Sequence, residues 1–405
     1  MSPTGDKQPL RVLLISYYFP PDLCAGSFRA KAMADALMEL GCDVELDVVT
    51  TEPNRYQSHR PSVINDEDLD YSVYRAPLPE TTAGLSGQVR CFGQFARRAR
   101  HLIPRDRYDI VVATSSRLMT ACLGAWLAPR LGAKLYLDIR DIFVETITDV
   151  FPGRLLWPVR RLFDGMERWA LGRADRVNLV SEGFLPYFRQ RYQRADYALF
   201  TNGIDSEFIA STGASGLEGS CAESDDLPEV VYAGNIGDGQ GLERIIPELA
   251  IRTRDYARFT VVGDGGTRGK LIERCRELNA PVTLVDAVPR SQLLDIYRSA
   301  AVLFLHLNDL PAFKRVLPSK LFEYAALGKP ILAGVSGYAK DFIQERIEGA
   351  EVFDPCDVSA AEQALRRLPL EHYRREAFVN EFSREAIMKR MAGDIIRVAT
   401  GQRDG

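Results

Sequence analysis

Twice along these 405 residues the chain alternates short continuous apolar runs with helical stretches, and a segment with little to bury separates the two series. The first series of apolar runs is "RVLLISYY", "VELDVVT", "DIVVATS", "KLYLDI" and "RVNLVS"; the second is "VVYAG", "RFTVVG", "PVTLVD", "AVLFLHL" and "PILAGV". Strands that are apolar throughout belong to mainly parallel sheets covered by helices on both faces. The break at 210–229, "ASTGASGLEGSCAESDDLPE", is rich in Gly, Ser and acid, as a linker or surface excursion would be. The pattern predicts an α/β protein with two doubly wound Rossmann-like domains, 1–209 and 230–375, and a long helix within 376–405. In "SFRAKAMADALMELG" the spacing places Met33, Ala36, Leu37 and Leu40 on one helical face, with Ser27 as N-cap and Gly41 beyond the end. In open parallel sheets ligands bind beyond the carboxyl ends of strands, so the informative residues are expected just after them, at a cleft shared by the two domains.

The totals exclude several classes. A net charge of −4 argues against nucleic acid as the main partner. Seven cysteines, at 24, 42, 91, 122, 221, 275 and 356, form no C-x-x-C pair and leave one unpaired, which points to a reducing compartment without a zinc site or disulfide frame. Met1 to Pro9 is polar and lacks the apolar core of a signal peptide, so the cytoplasm is the expected location. The longest apolar segments fall short of the roughly 20 residues a membrane helix needs.

The residues "VVYAGNIGDGQGLERII" at 230–246 run from a strand through four glycines in eight residues into a helix. Bare backbone between a strand and a helix commonly cradles phosphate, because unobstructed N–H groups and the positive helix end reach the anion. Gly237, Gly239 and Gly241 give G-x-G-x-G, and Leu242 stands where a dinucleotide fingerprint needs its third glycine. A nicotinamide cofactor is therefore not expected. In "LPSKLFEYAALGKP", Leu321, Phe322, Tyr324, Ala325 and Leu327 can pack while Lys320 and Glu323 share a helical face. Such a carboxylate can accept hydrogen bonds from both ribose hydroxyls, and such an ammonium can offset diphosphate charge. An ordinary surface ion pair fits the same spacing.

With "YYFPPDLCAGSFRAKAMADAL", "RADRVNLVSEG", "TNGIDSEF", "GNIGDGQGLE", "VVGDGG" and "LPSKLFEYAALGKPIL", the chain resembles, over nearly its whole length, the family 4 glycosyltransferases of GT-B fold. It looks most like bacterial O-antigen, capsule and exopolysaccharide transferases, including the N-acetyl-fucosaminyl-transferase-like subgroup. The resemblance implies that 1–209 binds the acceptor, that 230–375 binds the nucleotide sugar, and that the terminal helix returns to the first domain. It implies transfer, with retention of configuration, from a nucleotide diphosphate donor to a lipid-linked or polysaccharide acceptor. The expected donor is a UDP-sugar, with UDP-N-acetyl amino sugars among the options, and the departing phosphate takes the proton of the incoming hydroxyl. No cofactor is implied, and no metal, since there is no D-x-D suited to Mg²⁺ and no His or Cys cluster. His306, in an apolar strand, reads as a satisfied core residue. In the family the carboxylate matching Glu323 binds the ribose, and that role is carried over to Glu323.

The chain departs from the family pattern at four places. Arg315 stands where a second glutamate contacts the donor sugar, Asn235 and Gln240 occupy the loop that usually holds an arginine and a lysine, and Arg140 replaces a sugar-contacting histidine. The diphosphate must then be held by other cations. Lys320 is the expected principal one, with Lys314, Arg315 and the loop of Gly237, Asp238, Gly239, Gln240 and Gly241. Gly26 and Ser27, at a helix start in "PPDLCAGSFR", suit a phosphate or sugar hydroxyl, with Arg29 one turn on. In "LYLDIRDIFVET", Asp138, Arg140, Asp141 and Glu145 cluster after a strand; Arg140 is expected to bind sugar or phosphate, and Asp141 or Glu145 to stand near the acceptor hydroxyl. Two other readings stay open: a GT-B nucleotide-sugar 2-epimerase, and a non-catalytic GT-B subunit that binds nucleotide sugar.

Residues 90–107 carry six arginines and one acid, interleaved with Phe92, Phe95, Leu102 and Ile103, and 151–163 adds Trp157, Arg160 and Arg161. A basic, aromatic-bearing face of this kind can lie on anionic headgroups, which would put Arg97, Arg98 and Arg100 at the inner face of the cytoplasmic membrane.

Overall fold

The computed structural model describes residues 8–402 apart from 23, 41–42, 54–65, 80–84, 116, 143, 146–156 and 214–226. Gly41, 151–156 and most of the expected break at 210–229 thus lie outside the described residues. The chain forms two compact units: unit 1 is Met1–Asn202 with Glu385–Gly405, and unit 2 is Gly203–Arg384.

Unit 1 is built on seven parallel strands in the order β3-β2-β1-β4-β5-β6-β7. These are β1 (Leu10–Ser16), β2 (Val44–Thr51), β3 (Ser72–Ala76), β4 (Ile110–Ser115), β5 (Lys134–Ile139), β6 (Arg176–Leu179) and β7 (Tyr197–Ala198). Between them run α1 (Ala25–Leu40), α2 (Leu85–Leu102), α3 (Leu118–Leu127), α4 (Trp157–Leu171) and α5 (Leu185–Arg191). The central strand β1 is apolar because both its faces are covered, and Val12 to Ile15 expose nothing. Leu14 pairs with Val48 on one side and Val112 on the other.

Unit 2 repeats the plan with six parallel strands in the order β10-β9-β8-β11-β12-β13. They are β8 (Glu229–Ala233), β9 (Arg258–Val262), β10 (Val282–Val285), β11 (Val302–His306), β12 (Ile331–Gly334) and β13 (Ala350–Phe353). The helices are α6 (Ser206–Gly213), α7 (Ile246–Arg252), α8 (Arg268–Glu277), α9 (Arg290–Ser299), α10 (Lys320–Ala326), α11 (Tyr338–Arg346), α12 (Val358–Arg367) and α13 (Glu376–Glu381). Among the described residues no helix is long and apolar enough to cross a membrane.

Two local expectations are corrected. The terminal helix is broken: α13 ends before Phe382, and α14 (Arg384–Thr400) starts after Ser383. The interruption arises because Ile204 competes for this backbone, its N–H donating to the Phe382 carbonyl (2.8 Å) and its carbonyl accepting from Arg384 (2.9 Å). Phe382 then packs with Phe322, Phe342 and Phe378 in unit 2, whereas Ile387, Met391 and Ile395 are buried in unit 1. Ser27 is not an N-cap, since α1 already begins at Ala25, and Leu40 is 44% exposed instead of core-facing.

One polar node organises the core of unit 1. Arg29 on α1 and Asp138 on β5 expose none of their side chains and form a two-point ion pair, Nε–Oδ2 and Nη2–Oδ1 both 2.9 Å. Asp138 also accepts from Thr114 (3.0 Å) and Asn178 (2.7 Å), while Arg29 donates to the carbonyls of Phe200 and Thr201, each at 2.8 Å. A buried charge survives only when each lone pair and proton finds a partner, and here each carboxylate oxygen has two. Arg29 and Asp138, expected near the ligand, are therefore the tie between α1, β4, β5, β6 and the segment leaving unit 1.

Candidate functional site

In unit 2 the strand β8 runs into the glycine loop 234–241, and β9 into "VVGDGG". The two loops prolong the sheet ladder: Gly234 N–H donates to Val262 O (2.8 Å), Ile236 N–H to Asp264 O (2.9 Å) and Thr267 N–H to Ile236 O (3.0 Å). This close approach requires glycine at 263, where φ is +142° and a β-carbon would stand 1.9 Å from the Gly234 carbonyl oxygen.

The loop's two amides act internally. Gln240 Oε1 accepts from Asn235 Nδ2 (2.9 Å) and from the N–H of Gly237 (3.2 Å). The N–H groups of Gln240 and Gly241 both turn back to the Gly237 carbonyl. The expectation that the whole of Gly237 to Gly241 offers N–H groups to a diphosphate is thus corrected: only those of Asp238 and Gly239 have no acceptor among the described residues. The Asp238 side chain faces Lys270 at 3.7 Å in solvent. Below the loop, His306 donates from Nδ1 to Gln240 O (2.6 Å) and accepts at Nε2 from Cys356 N–H (3.0 Å). It is 1% exposed, and burial pushes its pKa down to about 4, so it is a neutral brace, as its sequence context indicated.

Over this loop stands α10. Leu321, Phe322, Tyr324 and Ala325 are fully buried, which turns Lys320 and Glu323 together toward the partly open side. The Lys320 ammonium sits on Gly234, 1.8 Å from where a β-carbon would be, and 5.4 Å from the centre of the Tyr232 ring. Among the described residues Lys320 has no hydrogen-bond acceptor and no carboxylate within 4.0 Å; burial lowers its pKa and Glu323 partly restores it. The Glu323 carboxylate likewise has no hydrogen bond, and burial raises its pKa against the opposing fields of Arg290 and Lys320. The sequence reading missed Arg290. It pairs with Asp205, donates to Glu207 at 2.8 Å and brings its charge to bear on Glu323. Asp205 also pairs with the buried Arg384. Lys314 and Arg315 end a 3-10 turn, Pro311–Arg315, whose Phe313 ring packs on Gly239; Lys314 is exposed and Arg315 half-buried.

In unit 1 the carboxyl end of β5 brings Arg140 onto α1. Arg140 Nη1 is 2.2 Å from where a β-carbon on Gly26 would be, so the guanidinium lies on the first helical turn beside Ser27. Asp141 is half-buried without a hydrogen-bond partner among the described residues, and burial raises its pKa to about 6, the Arg140 charge opposing. Glu145 is half-buried a few residues on. A raised carboxyl pKa means that the folded chain holds the proton more tightly than the unfolded chain. Ionising Asp141 therefore costs stability as pH rises from the ordinary 3.8 through about 6. Asp141→Asn is expected to melt above the parent at pH 8, with the difference closing below pH about 4, as a pH series of melting curves would read.

A family model described as a glycosyl transferase 4-like domain matches residues 26–203, and one described as glycosyl transferases group 1 matches 228–369. The WcaI protein of Escherichia coli (strain K12), named provisionally as a colanic acid biosynthesis glycosyl transferase, is 26% identical over 418 residues, which cover 95% of this chain and 100% of WcaI. Sucrose-phosphate synthase from Thermosynechococcus elongatus has a similar fold, with a TM-score of 0.71 at 16% identity over 97% of this chain and 100% of that one. HepE from Anabaena, solved with UDP and glucose, gives a TM-score of 0.60 at 13% identity over 97% of this chain and 98% of its own.

Proposed function

Since the chain belongs to the family 4 glycosyltransferases of GT-B fold, we propose that it moves a sugar from a UDP-sugar, with retention of configuration, to a lipid-linked or polysaccharide acceptor in bacterial surface polysaccharide synthesis. The observation that carries the donor reading is the pair Lys320 and Glu323, an ammonium and a carboxylate on one helix over a glycine loop, neither with a hydrogen-bonded partner among the described residues. Glu323 accepts from the ribose hydroxyls, and Lys320 balances the diphosphate as the glycosidic bond breaks. Arg290, itself paired with Asp205 and Glu207, favours the ionised form of Glu323. The acceptor hydroxyl is placed by Asp141 or Glu145. WcaI's name supports the polysaccharide setting, and the ligands of HepE support UDP. A thermal-shift screen over nucleoside diphosphates tests this reading. UDP is expected to raise the melting temperature most, and a preference for another base, or no response to any, would refute the donor assignment.

On α2 the aromatic residues face inward, Phe92 and Phe95 packing on Tyr17, so they are not part of a lipid-facing surface. The exposed side carries Arg90, Arg97, Arg98 and Arg100 with Val89, which is 62% exposed. On α4, Trp157 (60%) and Leu162 (62%) stand out beside Arg160 and Arg161. Helices α2 and α4 flank α3. Such a face suits anionic headgroups, each basic residue contributing about 1 kcal/mol. Flotation with phosphatidylglycerol vesicles is expected, and reversal of Arg97, Arg98 and Arg100 to Glu should abolish it; retained flotation would dismiss this face.

A further inference from the structure

The glycine loop of unit 2 has every carbonyl tied down but not every N–H. From Asn235 to Gly241 each backbone carbonyl accepts a hydrogen bond: Asn235 from the Tyr232 hydroxyl (2.6 Å), Ile236 from Thr267, Gly237 from the N–H groups of Gln240 and Gly241, Gln240 from His306, and Gly241 from the N–H of Arg244 (3.1 Å). The two carbonyls at the tip are held by one residue. Asn308, just beyond β11, donates from Nδ2 to the Asp238 carbonyl (2.8 Å) and from its own N–H to the Gly239 carbonyl (2.9 Å). Its amide has one orientation, because Arg244 Nη1 (2.6 Å) and the Asp309 N–H (3.0 Å) both donate to Oδ1 and leave Nδ2 for the loop. In a trans peptide C=O and N–H point opposite ways, and both peptides at this tip are trans. With the Gly237 carbonyl turned into the loop and the Asp238 carbonyl onto Asn308, the N–H groups of Asp238 and Gly239 are aimed away from the loop body. These are the two without an acceptor among the described residues. Asp238 is exposed and Gly239 half-buried, so a ligand can reach them. Successive N–H groups in a turn make an anion-binding concavity, and 234–241 holds no lysine or arginine to serve in their place.

We propose that Asn308 is a positioning residue of the donor site: by holding the Asp238 and Gly239 carbonyls it aims the N–H groups of Asp238 and Gly239 at the distal phosphate of the nucleotide diphosphate. This rests on the glycosyl-transfer reading above and adds the residue that gives the loop its direction. Lys320, seated on Gly234 at the start of the loop, supplies a point charge. The N–H pair at the tip supplies orientation, and that orientation depends on Asn308, which does not itself touch the phosphate.

The test is calorimetric titration of UDP, and separately of UMP, into the full chain. The parent is expected to prefer UDP. Asn308→Asp keeps the side-chain shape and the bonds from Arg244 and Asp309, but turns an acceptor onto the Asp238 carbonyl. Asn308→Ser keeps the backbone bond and removes the amide without adding charge. Both should weaken UDP binding about tenfold or more, with UMP affinity held within about twofold. A residue that serves the fold alone would move both nucleotides together, so equal losses would overturn the proposal. A parent that does not distinguish UDP from UMP would overturn it too, as would unchanged UDP affinity in Asn308→Ser, which lays the effect of Asn308→Asp on its charge. Should both variants fail to fold, Arg244→Met, which frees the amide to turn over, carries the same comparison with a smaller selective loss. A parent that binds neither nucleotide refutes the donor reading instead. Inorganic pyrophosphate then still reads the loop: Asn308→Ser should weaken it about tenfold, and equal affinity, or no binding by the parent, would overturn the role of Asn308.

Discussion

Asp138→Ala is expected to be the most destabilising single change in unit 1, costing about 3–5 kcal/mol. The reason is asymmetry: the substitution removes a carboxylate but leaves Arg29, with 0% of its side chain exposed, holding a full charge toward an empty space. Thr114 loses its acceptor at the same time, and Asn178 keeps only the Phe200 carbonyl. A loss of that size lowers the melting temperature of a unit of this length by on the order of 10 °C. Calorimetry of the variant checks it. The double change Arg29→Met with Asp138→Leu should recover much of the loss, because a buried ion pair replaced by apolar side chains of similar volume is often neutral. A single variant within about 1 kcal/mol of the parent would show that the node does not organise this core.

Lys320→Met is expected to separate function from stability. Removal of the diphosphate cation should cut turnover by roughly 10²–10³, the scale seen when one preorganised charge partner of a leaving group is lost. Stability should hold or rise. Burial lowers the Lys320 pKa, so at neutral pH the folded chain carries a proton it binds less tightly than the unfolded chain does, and that penalty leaves with the charge. Turnover close to the parent, or a melting temperature well below it, would remove Lys320 from the donor site.

The sequence exposed the strands that form a continuous apolar run, the edge strand β10 among them, and hid three short or mixed ones. All ten apolar runs are strands, but β3, β7 and β13 were not visible. Ser72–Ala76 and Ala350–Phe353 are edge strands whose residues are mostly half-buried, and Tyr197–Ala198 has two residues, so none shows a continuous apolar signal. The broken terminal helix was hidden for another reason. Its sequence is helical throughout, and only a pairing with Ile204, some 180 residues away, interrupts it.

The site shows the same division. Lys320 and Glu323 were legible because their helix buries every apolar neighbour and leaves those two together. Arg290 was not, because its role depends on the ion pairs with Asp205 and Glu207, more than 80 residues earlier, that bring it to Glu323. Arg29 and Asp138 stand among the candidate site residues in the sequence for the converse reason. Charged residues next to strand ends read as functional, and only the folded structure shows that they satisfy each other. Asn235 and Gln240 stand where the family carries cations, and their amides shape the loop that Lys320 covers.

The central claim is that Glu323 grips the ribose of a bound nucleotide, and titration of UDP against 2′-deoxy-UDP in the parent and in Glu323→Gln tests it most directly. The parent should prefer UDP by about tenfold or more, losing that preference as pH falls through the raised Glu323 pKa, because a protonated carboxyl no longer accepts from both hydroxyls. In Glu323→Gln the preference should be small and independent of pH. Equal discrimination by the two proteins, or a parent that does not distinguish the nucleotides, would contradict the claim.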